Sequence, residues 1–367
     1  MSRSRRQRRP RCAGQEKKLC WHTTFGTIAV EEPLYREGTR SKRLFAAGAA
    51  VSHRCCSQPL QRVVTDFGAD VAFGQVVAKL REHYGVELAT ETIRSIVEGH
   101  AQRMFEQQTF EEEWPQTVGE PLLIAEMDGG MVPIVVVDDT QTDHRRGKRL
   151  EWKEAKLTLA HAVGKTTLHY GATLQGGVDE AGRWLLDCAQ RAGLGVNTLV
   201  HALGDGAHWI SDQVEQRFGK QGRFTVDFYH VSDYLAAAAK VCSADPQAWL
   251  RTQQEHLKHN RLATVLAALA PHLEPEHLTD APVRACHRYL ENRTDQLDYQ
   301  GALAQGLPIG SGEIESAHRY IVQQRLKRPG AWWTPDNAEH MLALRLTRAN
   351  GRWQQYWETP TNARQAA

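Results

Sequence analysis

The stretch Leu122-Leu-Ile-Ala-Glu-Met-Asp128-Gly-Gly-Met-Val132-Pro-Ile-Val-Val-Val137 decides how this chain is read. Two strand-sized apolar runs, 122–127 and 132–137, flank one carboxylate and a glycine pair. The segment therefore reads as two strands joined around Gly129-Gly130, with Asp128 ending the first. Glycines beside an acid let a ligand approach the backbone closely. Taken alone, Asp128 is equally well an ordinary turn aspartate.

Outward from this stretch, residues 152–163 alternate as a third strand. A helix over 180–192, a strand over 198–203, a helix over 208–218 and a strand over 224–229 follow. Antiparallel strands followed by strand-helix units predict an α/β core in the layout of an RNase H-like mixed sheet. Residues 231–300 read as almost wholly helical, with Leu250, Leu257, Leu262, Val265, Leu266 and Leu269 as the apolar set, and predict an inserted helical domain. On the other side, an acidic linker over 111–120 separates the core from a mainly helical region at about 60–103. There, a helix ending at Gly85 and another opening near Thr90, its expected cap, predict a helix-turn-helix whose second helix presents Thr92, Arg94 and Ser95 to a DNA groove. A helical hairpin without DNA contact fits the same pattern. Residues 23–35 alternate as a hairpin or edge strand.

The expected organisation is a basic arm and small β element over 1–57, a helix-turn-helix region over 58–110 and a first part of the core over 118–232. A helical insertion over 233–300, final core helices over 301–350 and a tail over 351–367 complete it.

The 367 residues carry a formal net charge of only +2, but the charge is unevenly placed. Arg3, Arg5, Arg6, Arg8, Arg9, Arg11, Lys17 and Lys18 face the single acid Glu16, which reads as a disordered basic arm for DNA or as a solubilising tail. No apolar run approaches the roughly 18–20 residues of a membrane span, and no apolar segment follows the basic start as in a secretory leader. Seven cysteines at irregular spacing do not make a disulfide framework, so a cytoplasmic protein is expected. Cys20, His22, His53, Cys55 and Cys56 offer soft ligands for one Zn²⁺, though their spacing matches no strong zinc template.

Asp205, in Leu203-Gly-Asp205-Gly-Ala207, repeats the arrangement at Asp128: an acid after a strand and before a helix. Such strand ends are where α/β sheets bind ligands. Gly310-Ser-Gly-Glu313-Ile-Glu315-Ser-Ala-His318 then opens a helix expected to run through Arg325-Leu-Lys327-Arg328. Those cations either meet phosphate or simply favour a helix C-terminus.

Together these motifs resemble the prokaryotic DDE transposases of the insertion-sequence Kra type and, more loosely, the Mutator-like transposases of eukaryotes. The resemblance rests on Met-Asp128-Gly-Gly, Gly-Asp205-Gly-Ala-His-Trp209-Ile, Asp227-Phe-Tyr-His230 and Gly-Ser-Gly-Glu-Ile-Glu315 running into Gln-Arg-Leu-Lys-Arg, in this order over about 120–335. It implies an RNase H-like catalytic core, with metal-dependent cleavage at the ends of a mobile element and strand transfer into target DNA, in an active complex that is a homo-oligomer. Asp128, Asp205 and Glu315 are the implied catalytic and metal-binding residues. The chemistry suits them: two Mg²⁺ (or Mn²⁺) ions about 3.5–4 Å apart neutralise a phosphodiester and activate its attacker, and hard ions take oxygen ligands. The family's spacing, a glycine followed three residues later by glutamate, selects Glu315. Helical phase agrees: Glu313 and Glu315 lie about 200° apart, with Glu315 near Val322 and Leu326 on the sheet side and Glu313 on a more polar, solvated side.

Asp227 and His230 resemble an accessory motif placed to bind or position DNA, and serve equally as a structural pair. Trp209 either stacks on a base or fills the sheet–helix interface, and Trp332-Trp333 carries the same ambiguity. Two other functions remain open on sequence: a catalytically silent DNA-binding derivative or regulator, and a nuclease of the same fold that only hydrolyses.

Overall fold

Internal contacts divide the chain into two units, Met1–Gln108 with Gln324–Ala367, and Thr109–Gln323. The computed structural model describes residues 11–37, 40–43, 45, 55–110, 113–137 and 147–359. Arg3, Arg5, Arg6, Arg8 and Arg9 lie outside the described residues, as does His53.

The first unit opens with an antiparallel sheet of β1 (Arg11–Thr23), β2 (Gly26–Glu37) and β3 (Arg40–Arg43), in that order. The expected disordered arm thus gives way to strand at Arg11. In the register Lys18 stands opposite Glu31, and opposite charges across a ladder favour pairing. Helix α1 (Gln58–Asp70) starts at Ser57, whose side chain accepts from Leu60 N, with Pro59 in the first turn. Helix α2 (Phe73–Tyr84) ends at Gly85 in the left-handed region (φ +60°). Helix α3 (Thr90–Glu106) follows, with Thr90 as its first helical residue. The expected cap is therefore displaced by one position to Ala89, which has extended backbone and makes no side-chain cap bond. Leu60, Val64, Val76, Leu80, Ile93, Ile96 and Val97 are fully buried and hold these helices together.

The second unit is built on a five-stranded mixed sheet: β4 (Leu122–Val137), β5 (Lys148–Ala162), β6 (His169–Thr173), β7 (Leu199–Gly204) and β8 (Gly222–Val226), ordered β6-β5-β4-β7-β8. The first three in sequence pair antiparallel, while β7 runs parallel to β4 and β8 parallel to β7. Helices α4 (Val178–Ala192) and α5 (His208–Phe218) cover the sheet through a core that includes Leu123, Ala125, Met127, Leu185, Val200 and Ile210. From β8 the chain enters α6 (Phe228–Cys242), α7 (Pro246–Lys258), α8 (Leu262–Leu269), α9 (Pro282–Glu291) and α10 (Tyr299–Ala304). These surround a second core containing Val226, Phe228, Leu235, Leu257, Val283 and Tyr299. Helix α11 (Gly312–Ala317) then returns to the sheet.

Two sequence expectations change here. Asp128 does not end a strand: β4 is one continuous strand, in register with β5 from Leu123 to Val137. Glycine weakens a strand without breaking it when the partner ladder is complete. The helix opened by Glu313 and Glu315 is also not uniform. A π-helical segment, His318–Gln323, separates α11 from the short α12 (Gln324–Leu326). Phase at about 100° per residue therefore does not carry through to Val322 and Leu326.

The division into units falls at Gln324, within the stretch expected to form the last core helices. Helices α13 (Pro335–Ala349) and α14 (Trp353–Glu358) belong to the first unit, where Met341, Leu342 and Leu344 are buried and α13 packs on α3. No helix among the described residues is long and apolar enough to cross a membrane.

Candidate active site

Strand β4 is the spine of the site. Its parallel pairing with β7 runs only from Leu122 to Glu126, because β7 ends at Gly204. The ladder to β7 ends at Glu126, and Asp128 lies two residues past this last paired position. Asp205 follows directly on β7. Two acids far apart in sequence are thus brought to the end of the β4–β7 pairing, Asp128 within β4 and Asp205 just after β7.

The glycines next to Asp128 have a steric reason. A Cβ on Gly129 would meet Glu154 Oε1 of β5 at 2.2 Å, and one on Gly130 would meet the His318 ring at 2.8 Å. His318 Nε2 lies 3.3 Å from Asp128 Oδ2, and the imidazole is buried. Burial above all, opposed by the Gly129 N–H and reinforced by Asp205, Glu154 and Glu315, raises the Asp128 carboxyl to about 6. These four carboxylates, from β4, β5, the end of β7 and α11, therefore share one electrostatic neighbourhood.

The turn at Asp205 is held from the helical part of the same unit. Tyr289 of α9 donates to Asp205 O at 2.6 Å, and Arg293 donates to Gly206 O from Nε at 2.8 Å and Nη2 at 2.6 Å. Gly206 has φ +83°, and a Cβ there would lie 2.4 Å from the Tyr289 hydroxyl, so glycine is required on both counts. Asp205 Oδ1 accepts from Ala207 N at 2.9 Å, leaving Oδ2 outside that turn bond.

Asp227 is buried and fully occupied. One carboxylate oxygen caps α6 through Tyr229 N and His230 N, and the other accepts from Ser311 N at 2.6 Å and Ser311 Oγ at 2.5 Å. It fastens the loop before α11 to the end of β8. Asp227 thus meets His230 through the backbone N–H, while the His230 ring packs near Tyr234 and Tyr289.

Helix α11 is anchored by Glu126, two residues before Asp128. Its buried carboxylate accepts from Ile314 N at 2.7 Å, and burial is the main cause that pushes it up to about 8. Glu313 pairs with His161 at 2.9 Å, so its expected solvated side is in fact tied to a buried imidazole of β5. That contact holds the His161 imidazole above its ordinary range. Glu315 is exposed, lies 3.7 Å from Arg319, and contributes to the field at Asp128.

Among the described residues no three carboxylate, imidazole or thiol groups stand close enough together to hold a metal ion, at the acidic site or around Cys20, His22, Cys55 and Cys56. The acidic site has the donor chemistry of a hard-cation site: carboxylate oxygens, with repulsion focused on Asp128.

Other residues singled out on sequence lie elsewhere. Trp209 packs against the sheet–helix core, with Lys156 Nζ 5.9 Å from its ring. Arg94 is engaged by Glu91 and Glu98 along α3, beside the half-buried Thr92. Arg325 is buried and donates to Gly68 O, while Lys327 is exposed and Arg328 donates to Gln75. Buried Arg325 therefore presents no surface cation to DNA. Glu154, His318, Glu126, Tyr289 and Arg293 were not foreseen. Only His318 had a signal, three positions after Glu315 on the same turn of helix.

A model of an uncharacterised protein family, UPF0236, matches residues 195–359, less than half of the chain. The matched stretch contains Asp205, Asp227 and Glu315, and Asp128 lies before it. The chain is also similar to a "UPF0236 protein in vanSb 3′region" of Streptococcus gallolyticus, with 26% identity over 163 residues, which are 44% of this chain and 36% of the relative.

Proposed function

We propose that this chain is a DNA transposase with an RNase H-like core, which cleaves DNA at the ends of a mobile element and joins them to target DNA. The observation that carries the reading is geometric: Asp205 directly follows β7, Asp128 lies on β4 two residues past the end of its pairing with β7, and Glu315 sits on the helix that Glu126 of β4 anchors. The sheet order, with antiparallel β4 to β6 and parallel β7 and β8, supports the RNase H-like assignment.

Asp128, Asp205 and Glu315 would hold Mg²⁺ or Mn²⁺, probed most simply as two ions. Bound there, the ions supply charge neutralisation and activation of water or a 3′-hydroxyl. The protein's own groups prepare this. His318 orients Asp128, Tyr289 and Arg293 fix the Asp205 turn, and Glu126 with Asp227 sets the start of α11 and hence Glu315. Lys156, 3.0 Å from Glu154, draws that extra carboxylate toward itself. DNA is the partner, the active complex is a homo-oligomer, and the reaction takes place in the cytoplasm on the chromosome.

The test is incubation of purified protein with pre-cut element ends, a target plasmid and Mg²⁺. Joined products are expected. Cleavage without joining would reassign the chain as a hydrolytic nuclease, and end binding without cleavage would make it a silent DNA-binding derivative.

A further inference from the structure

A cavity of about 560 Å³ within the first unit is lined by Phe73, Glu98, Arg325, Arg328, Trp332 and Trp333, with Arg94 beside them. It gathers residues whose roles the sequence left ambiguous. Most polar groups around it are already engaged. Glu98 accepts from Arg94 and from Asn337 Nδ2, and Arg328 donates to Gln75 Oε1 and Gln324 O. Two donors differ: Arg325 Nη2 and Trp333 Nε1 are buried and have no acceptor. Their residues are only 2% and 4% exposed, so water does not substitute freely. Buried N–H groups without an acceptor are uncommon, and two on one cavity point to an acceptor supplied by a ligand.

The cavity is also built for a flat ligand. The Arg325 guanidinium sits 4.7 Å from the ring centres of both Phe73 and Trp333 and is fixed by its bond to Gly68 O. Trp332 is 65% exposed and lines the same cavity. Arg94, Arg325 and Arg328 outnumber Glu98, which suits a ligand attached to phosphates. A bare phosphate would use the cations but not the exposed Trp332 ring.

We propose that this cavity receives one nucleobase unstacked from DNA, with the base's carbonyl or ring-nitrogen acceptors meeting Arg325 Nη2 and Trp333 Nε1 and its face meeting Trp332. The proposal rests on the reading of the chain as a DNA-acting protein but not on the carboxylate chemistry.

The experiment uses full-length protein in EDTA, so that no cleavage occurs. Fluorescence anisotropy compares a labelled oligothymidylate of roughly 12 nucleotides with an abasic oligomer of equal length and charge. Wild-type protein is expected to bind the thymidylate about tenfold more tightly. Trp332→Ala, at an exposed position, should bring the thymidylate to within about twofold of the abasic oligomer and leave abasic binding unchanged. Arg325→Gln should do the same, with its thermal midpoint measured in parallel. Equal affinity for the two oligomers, no binding of either, or equal weakening of both by Trp332→Ala would overturn the proposal. Base preference without Mg²⁺-dependent cleavage would remove the catalytic reading and keep the cavity, and cleavage without base preference would do the reverse.

Discussion

Asp70 and Asp128 are aspartates in opposite company. In the first unit Asp70 receives Arg345 Nη1 at 2.5 Å and Arg348 Nη1 at 2.8 Å, and Arg348 Nη2 also lies 3.3 Å from Asp66. Two acids thus meet two guanidinium groups. In the second unit the carboxylates of Asp205, Glu154 and Glu315 all act on Asp128, against Lys156 at Glu154, Arg319 at Glu315 and the His318 imidazole 3.3 Å from Asp128. A balanced cluster satisfies itself and serves structure. An unbalanced one is held against its own repulsion by burial and packing, and is the arrangement that a cation relieves.

The largest effect expected from breaking the unbalanced cluster is on chemistry. Asp128→Asn or Asp205→Asn should lower Mg²⁺-dependent cleavage at least about 10⁴-fold, about 5.5 kcal/mol of barrier, with DNA binding retained in gel shifts. Near-normal cleavage by either variant would remove its residue from the metal set. A step down, Glu315→Gln should cost about 10³-fold and Glu313→Gln no more than about tenfold. The structure sharpens this contrast, because Glu313 is taken by His161 whereas Glu315 acts on Asp128. The reverse ranking on folded proteins would exchange their roles.

The balanced cluster should respond in the other currency. Asp70→Ala leaves buried Arg345 without its carboxylate and should destabilise the protein by about 3 kcal/mol in urea unfolding, while cleavage per folded molecule stays unchanged. A loss of cleavage at constant stability would show that Asp70 is not merely structural.

Glu126 gives the effect with the most specific sign. Its carboxyl, held up at about 8, keeps a proton in the folded state that an unfolded chain releases near its ordinary value of 4.5. Stability from this group is therefore lost as pH rises from about 4.5 through 8. Glu126→Gln keeps an acceptor for Ile314 N without a charge, so its urea midpoint should gain on the wild type between pH 5 and pH 9. Parallel midpoints over that range would mean that Glu126 ionises freely in the folded state.

Much of the second unit was legible because its periodicities are local. The strand at 198–203 and the helix at 208–218 appear within a residue of their expected bounds, since apolar alternation, a glycine pair around Asp205 and a helical repeat all fall in one short window. Strand β6 was missed: five residues, His169–Thr173, are too short for a clear alternation and are fixed by pairing with β5. The strand break assumed at Gly129-Gly130 failed for a related reason, because the ladder to β5 overrides local glycine preference. At the site, the carboxylate pattern was visible, but its surroundings were not. Glu154 reaches Gly129 only through the β4–β5 register, and Tyr289 of α9 and Arg293 just beyond it reach the Asp205 turn from 84 residues away or more in sequence. The π-helical segment at His318–Gln323 has no signature in residue spacing, so the helical phase that set Glu315 beside Val322 and Leu326 does not carry through it, and on the first turn Glu313 meets β5 through His161 while Glu315 is exposed.

The most direct test of the central claim, that these carboxylates form a cation site, is the thermal midpoint of DNA-free protein at pH 7.5 with and without Mn²⁺. The account predicts a rise of several degrees for the wild type at saturating ion, and little or none for the Asp128→Asn/Asp205→Asn double variant. The wild-type rise should shrink as pH falls below about 6, where Asp128 takes up a proton in competition with the ion. No shift in the wild type, or an equal shift in the double variant, would contradict it.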